Sequence, residues 1–170
     1  MPERHLVIDH LKLSYDGLFK ADELFTVISS WFYEKGWDWY EKMNEEQITP
    51  TGKQIRIILE PFKNVSDYYT MVVSIKLIIK NVKEVEVESK GELIRLHHGL
   101  IRMTLDAFLV TDRKGKWMNK PFLWFLSIIL DKYFFREPFT KMEGWLKREV
   151  DDLYNRIKNY LNVFKYSYHS

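Results

Sequence analysis

Five histidines and no cysteine are the imidazole and thiolate metal ligands this chain offers, and the histidine spacing decides what chemistry they could do. His97 and His98 are adjacent in a run that reads as a strand, so they point to opposite faces and do not share an ion. His5 and His10 lie five apart, no HExxH occurs, and no thiolate can join them, so neither a metal nor a cofactor is expected. Nucleophile and phosphate-cradling motifs are also missing: there is no GxSxG, no Walker-type glycine loop and no GxGxxG, and the seven glycines are scattered. Asp9 and Asp106 are carboxylates that a fold could bring near another, but nothing in their spacing singles one out. The expectation is a protein that is not an enzyme.

Basic chemistry is denser. Arg113, Lys114, Lys116 and Lys120 crowd around Trp117 in RKGKWMNK. Such a loop can neutralise phosphates while the indole stacks on a base, which makes these five residues the candidate RNA-binding set. The plainer reading is a solvated loop whose Trp117 turns into the core. Arg95 and Arg102 would extend the patch if the sheet placed them nearby. Twenty-six basic residues against twenty-four acidic ones leave a net charge of +2, so any attraction for nucleic acid has to come from a local patch.

Immediately after that loop, Pro121 to Phe135 reads PFLWFLSIILDKYFF, a helix-length segment with apolar residues on every side. At ~1.5 Å per residue it is about 22 Å long, short of the ~30 Å hydrocarbon core of a bilayer, and it is interrupted by Asp131 and Lys132, so it is not read as a membrane span. On a helical wheel Phe122, Leu126, Ile129 and Tyr133 form a face suited to the domain core. Trp124, Phe134 and Phe135 share the other side with Ser127 and Asp131. Each large apolar side chain left in water forgoes roughly 1.5–3 kcal/mol, so this second face is expected to be covered, and a two-fold interface between copies would cover it.

The elements that position these residues follow from periodicity. With 170 residues, 46% of them hydrophobic and 16% aromatic, the chain fits one domain spanning 1–170 with a sizeable core. His5 to Tyr15 reads as a strand, with Val7, Leu11, Leu13 and Tyr15 on one parity, broken by Gly17. Ala21 to Lys35 places Leu24, Val27, Ile28, Trp31 and Phe32 at helical spacing, with Gly36 as cap. Tyr33 faces outward on that helix, while Trp37, Trp39 and Tyr40 follow it in a run read mostly as core. Pro50, Thr51 and Gly52 turn a hairpin into a segment where Ile55, Ile57 and Leu59 alternate. From Tyr69 to Glu88, Val73, Ile75, Leu77 and Ile79 share one face, and Val85 and Val87 resume the parity after a bulge or turn near Asn81 to Lys83. Lys90, Gly91 and Glu92 separate this run from Leu93 to His98, and Ile101 to Leu109 alternate through another strand.

Two helices are expected to close the chain, Pro121 to about Phe135 and Thr140 to about Phe164, separated by Pro138. Thr140 and Glu143 form a capping box, and Leu146, Val150, Leu153, Ile157, Tyr160 and Phe164 form the buried face of the second. The fold class is therefore α+β: an antiparallel β meander with one N-terminal amphipathic helix and two C-terminal helices.

This order of elements is similar to the helix-grip layout of START-like and Bet v 1-like proteins, in which a curved sheet grips the last helix around a cavity. The resemblance implies a hydrophobic small-molecule or lipid ligand as the alternative function. Separately, LSYDGLF at Leu13 to Phe19, WFYEKGWDWYEK at Trp31 to Lys42 and LEPFKNVSDYY at Leu59 to Tyr69 resemble stretches of a little-characterised archaeal family. Some archaeal proteins of this size act on ribosomes, including a hibernation factor that pairs small subunits as a homodimer.

The resulting expectation is a non-enzymatic binding protein that forms a homodimer through Trp124, Ser127, Asp131, Phe134 and Phe135. It would dock on the ribosomal small subunit or another RNA-protein surface and restrain subunit joining. The cysteine-free composition fits a reducing, cytoplasmic setting, and MPERHLVIDH has no signal-peptide pattern. Heavy use of Lys and Glu matches the bias of thermophile proteins.

Overall fold

The computed structural model describes residues 3–66, 68–111 and 136–167. They form an α+β structure in which six antiparallel strands make one sheet and two helices pack on one of its faces. In chain order these are β1 (Glu3–Phe19), α1 (Ala21–Glu34), β2 (Glu41–Thr49), β3 (Gly52–Leu59), β4 (Phe62–Asn64), β5 (Tyr69–Ser89), β6 (Glu92–Thr111) and α2 (Arg136–Ser167). The sheet runs β1-β6-β5-β3-β2, with β4 also paired to β5. The expected meander is present from β2 to β6, and β1 returns to the far side of β6.

Alternation produces one dry face. Met71, Val73, Ile75, Leu77 and Ile79 of β5 stand opposite Leu109, Ala107, Leu105, Met103 and Ile101 of β6, and Ile55, Ile57 and Leu59 of β3 join them. The helices cover this face with Leu24, Ile28, Trp31 and Phe32 from α1 and Leu146, Val150, Leu153, Ile157 and Leu161 from α2. At roughly 1.5–3 kcal/mol per fully buried large side chain, this layer dominates the stability of the fold.

α1 ends as its sequence requires. Gly36, at φ 77°, donates its N–H to Tyr33 O, and Trp37 donates to Phe32 O, the paired bonds of a glycine-terminated helix. The β2–β3 turn is as tight as Pro50 and Thr51 suggest. Gly52, at φ 140°, sits so close to Asn81 and Val82 that a Cβ would lie 3.0 Å from their backbone.

Several boundaries differ from the sequence reading. Gly17 does not break β1, because it stays extended and paired with Gly99, and the strand continues to Phe19. Asn81 and Val82 together oppose Gly99, so the break in β5 is a bulge, and the extra residue moves Val85 and Val87 to the face opposite Val73. Lys90 and Gly91, at φ 52° and 82°, make a two-residue hairpin turn, after which β6 runs unbroken to Thr111. β4 is three residues long, too short for a periodic signal.

α2 starts at Arg136, not Thr140, because Pro138 falls in its first turn, where a helix needs no amide donor. Tyr160 is half-buried while Leu161 is the fully buried residue of that turn, and Trp39 and Tyr40 are exposed, not core. Two helices are described where the sequence leads to three, since Pro121 to Phe135 lies outside the described residues. No helix among those described is long and apolar enough to cross a membrane.

Candidate nucleic-acid interface

The sheet face turned away from α1 and α2 carries the even-numbered residues of β6 and of β5 before its bulge. Register aligns them into rows. Lys12, Thr104, Lys76, Ile58 and Met43 form one row across β1, β6, β5, β3 and β2. Ser14, Arg102, Ile78, Arg56 and Glu45 form the next, followed by Asp16, Leu100 and Lys80. Neighbouring strands lie ~4.8 Å apart and alternate residues about 7 Å apart along a strand, so these cations sit on a lattice of roughly 7–10 Å.

Lys12, Arg56, Lys76 and Arg102 are exposed and Lys80 is half-buried. None of the five makes an ion pair with a described residue. Glu84, Glu86 and Glu88 near the β5–β6 turn fall on the other side of the sheet. Asp16 and Glu45 mark the margins of the basic rows.

One carboxylate sits at the centre of this face. β1 has two register shifts, and the second, between Ile8 and Leu11, sets Asp9 and His10 together against the single residue Asp106 of β6. His10 adopts φ 54°, and both its backbone N–H and its Nδ1 reach Asp106 Oδ1, at 2.7 and 2.6 Å. Asp106 is only 6% exposed, so these bonds offset the desolvation of its charge. Asp9 Oδ1 lies 3.3 Å from the same imidazole. The three side chains offer an N,O,O donor set whose atoms all lie within 4.8 Å of one another. Asp9 and Asp106, named from the sequence only as carboxylates a fold could bring near another, thus meet at His10, which no linear spacing between positions 9, 10 and 106 reveals.

Farther along the same face, beyond His10, lies a cleft of about 500 Å³ lined by Arg4, Tyr40, Glu60, Phe62, Thr70, Val72 and Val110. A second cleft of about 360 Å³ opens between α1 and the 37–39 segment, lined by Phe25, Ser29, Ser30, Phe32, Tyr33, Trp37 and Trp39. Phe25 and Trp39 meet there edge to face, with centroids 5.7 Å apart.

The other sequence candidates separate. Arg113, Lys114, Lys116, Trp117 and Lys120, and the self-association set Trp124, Ser127, Asp131, Phe134 and Phe135, lie outside the described residues. Arg95 and Arg102 occupy positions of opposite parity on β6, so they face opposite sides, and Arg95 approaches Glu86 at 3.9 Å. His97 and His98 diverge as their adjacency requires: the His97 ring lies 5.9 Å from that of Phe19 and its Nδ1 accepts from Ala21 N, while His98 stands beside Lys83.

Two tyrosines are perturbed. Burial, with Asp16 nearby, raises the Tyr15 phenol, and burial, with the Glu23 carboxylate, raises that of Tyr160 well above the usual range. Both hydroxyls serve the fold: Tyr15 donates to Leu18 O, and the single O–H of Tyr160 is shared between Lys20 O and Glu23 Oε2.

Comparison with protein-family models, with curated proteins and with solved structures finds no match, so the basic face has to be read from its own geometry.

Proposed function

We propose that this chain is a non-enzymatic binding protein that docks on RNA, or on the RNA of an RNA-protein surface such as a ribosomal subunit, through the sheet face turned away from α1 and α2. The observation that carries this reading is the segregation of Lys12, Arg56, Lys76, Lys80 and Arg102 onto one face without described carboxylate partners, in a chain whose net charge is only +2. Unpaired cations in adjacent rows repel one another, and a polyanion removes that cost while releasing its own counterions. A ligand gripped between sheet and helices, as in a helix-grip domain, is less favoured. Trp31, Phe32, Met71, Ile75, Met103 and Leu105 fill that layer and are essentially inaccessible. Self-association, the other half of the reading, is tested separately by light scattering at micromolar concentration, where a dimer is expected.

Binding to single-stranded RNA and to ribosomal small subunits, measured across salt concentrations, tests the docking face. Five phosphate contacts on a single strand give a log–log salt slope of about −3.5, and the triple variant Arg56→Glu, Lys76→Glu, Arg102→Glu should lower its magnitude by about 2 while weakening affinity. Equal binding by wild type and variant would remove this face from the interaction. Binding to anionic lipid vesicles with none to RNA would assign the cations to a membrane surface.

A further inference from the structure

The cleft at the end of the basic face has a chemistry of its own. It is built where the chain leaving α1 pairs with the segment around Pro61: Asp38 and Phe62 exchange both backbone bonds, at 2.7 and 3.0 Å, and Glu60 N donates to Tyr40 O at 2.8 Å. Pro61 O accepts from Val73 N, tying the same segment to β5. The walls are therefore sheet-like backbone, which presents side chains at fixed positions.

Val72 and Val110 supply apolar surface, and Tyr40 and Phe62 supply rings, with Tyr40 left 52% exposed. Arg4 lies 5.5 Å over the ring of Phe108, a neighbour in the adjoining row, so its planar guanidinium belongs to the same aromatic surface. Two aromatic rings and a guanidinium beside aliphatic surface suit a flat heteroaromatic ring. At about 500 Å³ the cleft falls in the size range of small-ligand sites, with room for a nucleoside.

Its polar groups select further. Glu60 is only 23% exposed at its side chain, and Oε1 is 3.4 Å from Lys42 Nζ. A carboxylate only accepts hydrogen bonds, so it favours a ring edge that presents N–H donors. Guanine offers two adjacent ones, N1–H and the N2 amino group, matching the two oxygens of one carboxylate. Uracil presents its single N3–H between two carbonyls, which a carboxylate repels. Thr70 donates its hydroxyl to Asn64 Oδ1 at 2.8 Å, leaving the oxygen lone pairs as acceptors on the cleft side of β5.

We propose that this cleft takes an unstacked base, preferentially guanine, of the RNA whose phosphates meet the basic rows. The inference rests on the docking face proposed above. Val72 in the cleft and Lys76 in the first basic row are four residues apart on β5, about 13 Å, so one strand can engage both. Because a base must be splayed out to enter, the partner is a single strand and not a duplex.

The experiment compares affinity for single-stranded RNAs that differ at one position, guanine against uracil, and for a duplex of the same sequence. The proteins are wild type, Tyr40→Ala, Glu60→Gln and the Arg56/Lys76/Arg102 charge-reversal variant, each checked for cooperative unfolding. Wild type should prefer the guanine strand by about tenfold, as expected for one paired set of base-edge bonds. Glu60→Gln should bring that ratio near unity and keep the salt slope, whereas Tyr40→Ala should weaken every single strand by about tenfold and leave duplex binding unchanged.

If Tyr40→Ala and Glu60→Gln match wild type while the charge-reversal variant loses affinity, the cleft is excluded and the docking face stands. If the charge-reversal variant matches wild type while the cleft variants lose their base preference, the docking face falls and the cleft stands alone. If wild type binds no RNA, both are overturned.

Discussion

At His10 the backbone adopts φ 54°, a conformation non-glycine residues avoid, and its hydrogen bonds to Asp106 show what holds it there. Replacing His10 by Ala removes the imidazole partner of a nearly buried carboxylate and should cost about 1–3 kcal/mol. Urea unfolding measures it, and an unchanged midpoint would show that Asp106 needs only the backbone N–H. Trp31 makes a second such case. Its place on the buried stripe of α1 is legible from helical spacing, yet Nε1 donates to Asp152 Oδ2 at 2.8 Å, 121 residues away in sequence. Trp31→Phe keeps a ring against Phe32 and loses that bond, a destabilisation of about 1–2 kcal/mol on the same assay. Partners of this kind are set by how helices pack, so no local pattern announces them.

Elements were legible where one period runs long enough to be counted, and not where a single inserted residue changes the outcome. The stripe of α1 and the alternation of β5 and β6 come from repeated spacing, and the break at Asn81–Val82 is expected from the sequence, but not that it turns Val85 and Val87 to the other face; the bulge at Asp9–His10 has no compositional mark. Gly52 packs its turn against the Asn81–Val82 bulge. Gly52→Ala should destabilise by about 1–3 kcal/mol, since its Cβ would press on backbone and not on a side chain that can move aside; a midpoint equal to wild type would show that the turn relaxes freely.

The two helices are joined at their ends by Tyr160, whose hydroxyl reaches Lys20 O at 3.2 Å and Glu23 Oε2 at 3.1 Å. Its phenol is raised in the folded state, so the protonated hydroxyl contributes stability fully below the ordinary phenol pKa of about 10, and that contribution is lost as pH rises through the higher folded value. Alkaline unfolding should therefore narrow the difference between wild type and Tyr160→Phe, a difference of about 1 kcal/mol at neutral pH. A gap that stays constant above pH ~10 would show that the hydroxyl is not the cause.

For the molecule as a whole, charge is arranged by face and not by total. If the basic rows serve binding, the fold should not depend on them. Arg56→Gln, Lys76→Gln and Arg102→Gln together should leave stability within about 0.5 kcal/mol per site of wild type, or raise it by relieving repulsion; a loss of several kcal/mol would make the rows structural.

The amino-acid sequence by itself determined the class of elements, the dry face of the sheet and the absence of thiol chemistry, because propensity, periodicity and composition act over a few residues. Only the tertiary structure decided that Lys12, Lys76 and Arg102 share one face, that Asp9 and Asp106 meet at His10, and that Tyr40 and Glu60 open a cleft beside them. Those juxtapositions depend on strand order and register, and register is fixed by the total fit of the buried face and by the bulges that interrupt the strands, a property of all the strands together.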